Sequence, residues 1–247
     1  LPLNDFDGKN LVYLTSCTGV NLEAVKLLFT AQNSVYAANA VEEEIVATSA
    51  IESIDFDRSS VRSIMLGNAP KDNQENRIYG LKLGFEFISD RHNHITEENI
   101  HKLYMMAIGN FLEGDDRLRD GEFYRHDDVY VMGGDGVVHR GIGSGKLPEY
   151  MKRFVDFANA DDGINDLLKA AMLHFDIAYL HPYFDGNGRM ARLLHMWFLI
   201  QKGYESTLFV PMSSYIEKSR GKYYDAYTLV ENNARLAGVT DVTPFLI

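Results

Sequence analysis

The sequence predicts a mainly α-helical fold with one β-hairpin, and three observations carry that prediction. Apolar residues recur at helical spacing through most of the 247 residues. One segment, "DVYVMGGDGVVHRG", replaces that pattern with two β-branched runs around glycines, a hairpin signature. Two helix-like apolar runs meet at "HPYFDGNGRMAR", His181 to Arg192, where Pro182, Gly186 and Gly188 rule out regular structure at the centre.

Taken in order, Asn21 to Ala38 carries Ala24, Val25, Leu27, Leu28 and Ala31 on one helical face, and Ala40 to Ala50 continues it with an acidic "VEEE" patch. Ile78, Leu81, Leu83, Phe85 and Phe87 mark a mixed helix across Arg77 to Arg91. In "ITEENIHKLYMMAIGNFL" Thr96 is the expected N-cap, ahead of the apolar positions Ile100, Leu103, Met106 and Ala107. The texture changes between Glu122 and Lys146, where the hairpin falls. "GKLPEYMKRFVDFANA" returns to helix, and "DDGINDLLKAAMLHFDIAYL" is a second helix running into His181. Arg189 to Lys202 follows, then a tyrosine-rich segment, "YIEKSRGKYYDAYTLVENNARLAG".

Composition narrows the function classes. Apolar residues make up 46% and charged residues 24%, an ordinary globular balance. A formal net charge of −11 argues against a broad nucleic-acid or anionic-membrane surface and leaves room for a local basic pocket. Cys17 is the sole cysteine, which excludes an internal disulfide and a cysteine metal cluster and fits a reducing, cytoplasmic location. No apolar run approaches the roughly 18 residues of a membrane span; Leu193 to Ile200 reads as buried helix. No secretory leader is visible from Leu1, and the apolar, uncapped "TPFLI" suggests a native chain that continues.

The interrupted loop has the chemistry of a phosphate-transfer site. If the next helix begins near Gly188 or Arg189, the backbone N–H groups of Gly186, Asn187 and Gly188 lie at its positive end, a ready anion cradle. Glycines admit phosphate oxygens close to the backbone. Arg189 and Arg192 share a helix face and offer two guanidinium forks. Asp185 supplies a hard oxygen for Mg²⁺, or is only a helix cap. His181 is the group that can take a proton near neutral pH. His174, a lone histidine on an apolar helix, reads as structural. "GIGSGK", Gly141 to Lys146, is not a Walker A loop: Arg140 stands where its first Gly belongs and Leu147 where Ser/Thr belongs.

These twelve residues resemble the Fic signature H-x-F-x-D/E-G-N-G-R-x-x-R, matching at every position but the third, where Tyr183 replaces Phe. The resemblance covers residues 95 to 240 well and implies a Fic-type helical bundle with a β-hairpin flap. It divides the chain into N-terminal helices (1–75) and a Fic core (76–247), with the flap at about 123–145. It implies transfer of AMP from ATP to a hydroxyl of a target protein, with His181 as general base and Asp185 binding Mg²⁺. Gly186, Asn187 and Gly188 would form the anion hole, and Arg189 and Arg192 would hold the outer phosphates. Tyr223 and Tyr224 resemble family residues near the nucleotide base, with Ser219 where an Asn is common. Val129, Tyr130, Val131, Met132, Val137 and Val138 would dock a target segment by strand-like pairing. Gly186 argues against the phosphate-transferring Doc branch.

"ATSAIESI", Ala47 to Ile54, resembles the family's inhibitory helix S/T-x-x-x-E-G/N, with Thr48 and Glu52 matching and Ser53 in place of Gly/Asn. In the family this Glu pairs with the second motif arginine, here Arg192. Ser49 to Glu52 also reads as a capping box that merely starts a helix. The expected partners are ATP and a target protein, with self-association as a homodimer and no membrane or nucleic acid through this segment. The rival readings are a nucleotide-regulated binding module, and a Fic enzyme that transfers another group or removes AMP.

Overall fold

A computed structural model describes residues 1–15, 34–54, 56–133 and 136–247. Cys17, most of the helix expected over Asn21 to Ala38, and the two residues at the tip of "GGDG" fall outside these. Among the described residues the fold class is as expected: mainly α, with one two-stranded antiparallel sheet.

The core is built around two helices that pack along each other, α6 (Asp166–Leu180) and α7 (Asn187–Gln201). Met190, Leu193, Leu194, Trp197 and Phe198 are all buried, so α7 sits inside the core, with Arg189 and Arg192 buried along it as well. α3 (Asn73–Ser89) packs on α7 and α4 (Glu97–Ala107) on α3, while α5 (Leu147–Asn159) covers α6. Thr96 caps α4 as its sequence predicts, accepting a hydrogen bond from the Asn99 N–H at 3.2 Å. Asp72 caps α3 in the same way through Glu75 N–H at 2.8 Å.

The N-terminal side supplies α1 (Ser34–Ile51) and α2 (Arg58–Met65). α1 crosses α8 (Met212–Lys218) and its end reaches α7. The tyrosine-rich segment forms two helices, α8 and α9 (Arg220–Ala237), divided at Ser219. α10 (Thr243–Leu246) closes the chain against α6 and α9. The hairpin pairs β1 (Tyr130–Gly133) with β2 (Gly136–Arg140), with Val131 opposite His139 and Met132 opposite Val137. That register leaves Val138 as an extra residue, and the bulge twists the ribbon.

Three boundaries differ from the sequence reading. α7 begins at Asn187, ahead of the expected Gly188 or Arg189. α6 begins at Asp166, because Asn165 takes the cap by accepting from Leu167 N–H. Ser49 to Glu52 is not a helix start: Ser49 lies in the last turn of α1 and its hydroxyl donates back to the Ile45 carbonyl.

One buried carboxyl sets a pH dependence of stability. Asp176 on α6 is 2% exposed, one of its oxygens lacks a hydrogen-bond partner, and burial pushes its pKa up to about 8. The folded protein therefore keeps a proton that the unfolded chain releases near pH 4. The stability this proton confers is complete below about pH 4 and is lost as pH rises towards about 8. Asp176→Asn removes that slope. Its melting temperature relative to the unsubstituted protein is expected to rise between pH 5 and pH 8, by several degrees at the upper end, in paired calorimetric scans.

Candidate active site

The loop between α6 and α7 is held in shape by its own side chains. His181 ends α6 in the left-handed conformation at φ 55°, a cost of order 1 kcal/mol for a non-glycine residue. Arg125 compensates: its Nε donates to the His181 carbonyl at 2.7 Å, its Nη1 to Asp127 O at 2.6 Å, and its Nη2 to Ile142 O. Its backbone N–H also donates to Pro182 O. Tyr183 is buried and stacks on Tyr104 with ring centroids 3.6 Å apart, so the replacement of Phe keeps the aromatic anchor.

Asn187 staples the loop. Its Oδ1 accepts from Tyr183 N–H at 3.0 Å and its Nδ2 donates to Tyr183 O at 2.8 Å. The side chain is thereby committed to the loop, and only the backbone N–H of Asn187 is left for the expected anion hole. Gly186, at φ 84°, is the N-cap of α7, and a Cβ there would run into Ile108. The first-turn N–H groups of Asn187 and Gly188 have no intrahelical acceptor.

Two arginines stand beside this helix start, and a carboxylate holds each. Arg189 is buried and donates to Asp185 Oδ2 at 3.0 Å, while Asp185 Oδ1 accepts from Gly186 N–H. Arg192, 1% exposed, faces the end of α1. Its Nε donates to Thr48 Oγ1 at 2.7 Å, and its Nη2 donates to Thr48 O at 3.3 Å and to Glu52 Oε1 at 2.6 Å. Glu52 also lies over Gly188, where a Cβ would overlap Oε1. The carboxylate thus sits at the positive end of α7. Ser53, next to it, is left-handed at φ 59°, which is the physical reason a Gly or Asn suits that position.

His181 has the tautomer a general base requires. Nδ1 lies 3.1 Å from Ala178 O, and a carbonyl can only accept, so Nδ1 carries the hydrogen and Nε2 the lone pair. Burial, ahead of the positive charge of nearby His139 and Arg125, pushes its pKa down to about 4. It is neutral at pH 7.

A cavity of about 460 Å³ brings many of the sequence-selected residues together. His181, Gly188, Arg192 and Glu52 line it, as do Tyr223 and Tyr224 on α9 and Val131, Met132 and Val138 of the flap. Thr48, Asp185, Gly186, Asn187, Arg189, Val129, Tyr130 and Val137 lie outside its lining. His174 is buried and its Nε2 lies 2.8 Å from Tyr223 Oη, a structural role that sets the Tyr223 ring. The sequence reading missed Arg125, His139, Glu44 and Glu231. Glu231 was within reach, since Tyr223, Tyr227 and Glu231 repeat at four-residue spacing on one helix face. Arg125 gives no local signal.

Residues 94–199 match the model of the Fic/DOC family. A protein adenylyltransferase Fic of Drosophila willistoni is 29% identical over 194 residues, covering 76% of this chain and 34% of that protein. One of Culex quinquefasciatus is 29% identical over 195 residues with the same coverage. The chain thus spans about a third of the length of the curated relatives it matches. The crystal structure of a Fic family protein from Desulfovibrio desulfuricans superposes with a TM-score of 0.73 at 19% identity, over 91% of this chain and 67% of that one. A Fic-domain signaling protein from Bacteroides thetaiotaomicron gives 0.61 at 23% identity, over 74% and 72%. These two establish the Fic fold. Among the described residues no helix is long and apolar enough to cross a membrane.

The staple in the loop is testable. Asn187→Ala leaves the Tyr183 N–H and C=O unpaired in a buried site, and a loss of about 2–4 kcal/mol is expected in chemical denaturation. Val138→Ala, on the exposed flap, is expected to change stability by less than about 0.5 kcal/mol.

Proposed function

We propose that this Fic domain transfers AMP from ATP to a hydroxyl of a target protein, and that Glu52 restrains it. The observation that carries the reading is the neutral His181, with its Nε2 lone pair unprotonated, in the same cavity as Gly188 and Arg192. In the reaction the target's hydroxyl gives its proton to His181 Nε2 while its oxygen forms a bond to the α-phosphorus. The bond from that phosphorus to the bridging oxygen breaks, and pyrophosphate leaves with the electron pair. Backbone N–H groups of Asn187 and Gly188 stabilise charge on the α-phosphate, and Arg189 and Arg192 take the outer phosphates. The tyrosines Tyr223 and Tyr224 flank the base.

The donor set suits Mg²⁺. Asp185 is the half-exposed carboxylate at the helix start, with oxygen ligands of the hard type. Asp185 would hold the ion, which supplies charge neutralisation on the phosphates. The flap, with Val129, Tyr130 and Val137 beside its cavity-lining residues, would take the target segment as an added strand.

Glu52 supports restraint because it engages the donors an outer phosphate needs. Arg192 cannot serve the carboxylate and a phosphate with the same Nη2 hydrogen. A shift of about 1.4 kcal/mol in that competition is worth a factor of ten.

Three outcomes test the reading. Glu52→Gly is expected to raise AMP incorporation from labelled ATP about tenfold or more; equal incorporation by both forms removes the restraint. His181→Ala in that background is expected to lower incorporation by at least about 10²-fold with the fold intact by circular dichroism. Because His181 must be neutral and its pKa is held near 4, the rate should stay level as pH falls through 6.5 and drop only towards pH 4. An acid limb near 6.5 in the pH–rate profile contradicts the assignment.

A further inference from the structure

The flap meets the body of the protein at few points. Tyr130, Met132, Val137 and Val138 are exposed, and a lone two-stranded ribbon is marginal in water. Arg140 pairs with Asp128 at 2.6 Å, and Gly141 N–H donates to Val129 O. Those contacts close the hairpin's stem, and just beyond β2 the Ile142 N–H donates to Leu180 O at the end of α6, so the stem is held there while the ribbon above it needs an anchor of its own.

His139 differs from its neighbours. Its side chain is 14% exposed and turned beneath β2. Nε2 lies 2.8 Å from the Tyr179 carbonyl on α6, and Nδ1 lies 2.5 Å from Glu231 Oε1 on α9. The carbonyl only accepts, so Nε2 carries a hydrogen, and a second hydrogen lies between Nδ1 and the carboxylate. One ring therefore ties the flap to two separate helices, both of which line the cavity. Its centroid is 5.9 Å from that of His181. Phe6 stacks on Tyr179 at 4.3 Å and stiffens the support from outside.

We infer that His139, gripped by Glu231 and the Tyr179 carbonyl, is the positioning residue that fixes the flap over His181. It touches no reacting atom. Its role is to set the height and direction of β2, and so the distance from an acceptor hydroxyl on a paired segment to His181 Nε2. The inference rests on the transferase reading of the cavity, but its first readout does not.

The test uses the full chain in the Glu52→Gly background, with His139→Ala, Glu231→Ala, Glu231→Gln and the double alanine variant. Amide hydrogen exchange over Val137–Arg140 is expected to quicken about tenfold in each single alanine variant and no further in the double. Glu231→Gln keeps an acceptor for Nδ1–H and should recover most of the protection. With saturating Mg-ATP, AMP incorporation is expected to fall about tenfold in turnover, while the KM for ATP and the melting temperature stay near those of the parent. Unchanged exchange in His139→Ala overturns the inference. So does a raised KM for ATP in the Glu231 variants without faster exchange, since Glu231 would then serve the nucleotide. Faster exchange in a background that never incorporates AMP leaves the anchor standing and removes the transferase reading instead.

Discussion

A guanidinium cannot stay buried and dry without an anion, and that constraint organises the region around Arg192. At 1% exposure its charge needs partners within the protein. α7 cannot provide them, since its own carbonyls are committed to helical bonds. α1 and the turn that follows it supply all three contacts: the Thr48 hydroxyl, the Thr48 carbonyl and the Glu52 carboxylate. The end of α1 is therefore part of the site. Removing the carboxylate leaves a cation whose desolvation is uncompensated, and a phosphate is the natural replacement. The same physics that makes the pair cohesive makes it exchangeable for a better anion.

α1 needs to be held for this contact to exist, and three further hydrogen bonds hold it. Glu44 caps the start of α8, accepting from Ser213 N–H at 2.8 Å and from its hydroxyl. Burial raises the Glu44 pKa, opposed by those same Ser213 bonds. Arg220, at the start of α9, donates to Ala50 O at 2.7 Å and so satisfies an end carbonyl of α1. The segment after the motif thus grips the helix that answers the motif. In the proposed reaction the elements beside the nucleotide base and the restraining helix are mechanically joined.

The legible parts of the sequence were those whose cause is local. Thr96 announces its cap, and the glycines around "GGDG" announce the hairpin. The interruption at Pro182 to Gly188 announces a loop that two core helices must tolerate. α2 went unread because its amphipathic pattern, with Val61 and Ile64 buried, lasts only eight residues, shorter than the stretch over which helical periodicity stands out in a sequence. The Asn187 side chain was legible as a polar loop residue but not as a staple. Its partners are the backbone atoms of Tyr183, and nothing in composition distinguishes that use from an anion contact. Arg125 and Glu44 act across 56 and 169 residues of sequence respectively, on a carbonyl and an amide. Such contacts exist only after the chain has folded.

The flap and the loop it covers represent opposite solutions to placing chemistry. The loop is overdetermined: Arg125, Asn187, the Tyr104–Tyr183 stack and Asp185 each fix a different part of it. That redundancy is what allows His181 to remain in a strained backbone conformation with its lone pair free. The flap's ribbon is underdetermined, with exposed apolar residues, a stem held at Ile142, and the partly buried His139 reaching two helices. Pairing by backbone hydrogen bonds tolerates many sequences in a bound segment, but it fixes position only as well as the strand itself is fixed. In the proposed reaction, a rigid base beneath a less constrained hairpin would combine exact chemistry with broad choice of partner. This division of labour follows from where the buried polar contacts lie.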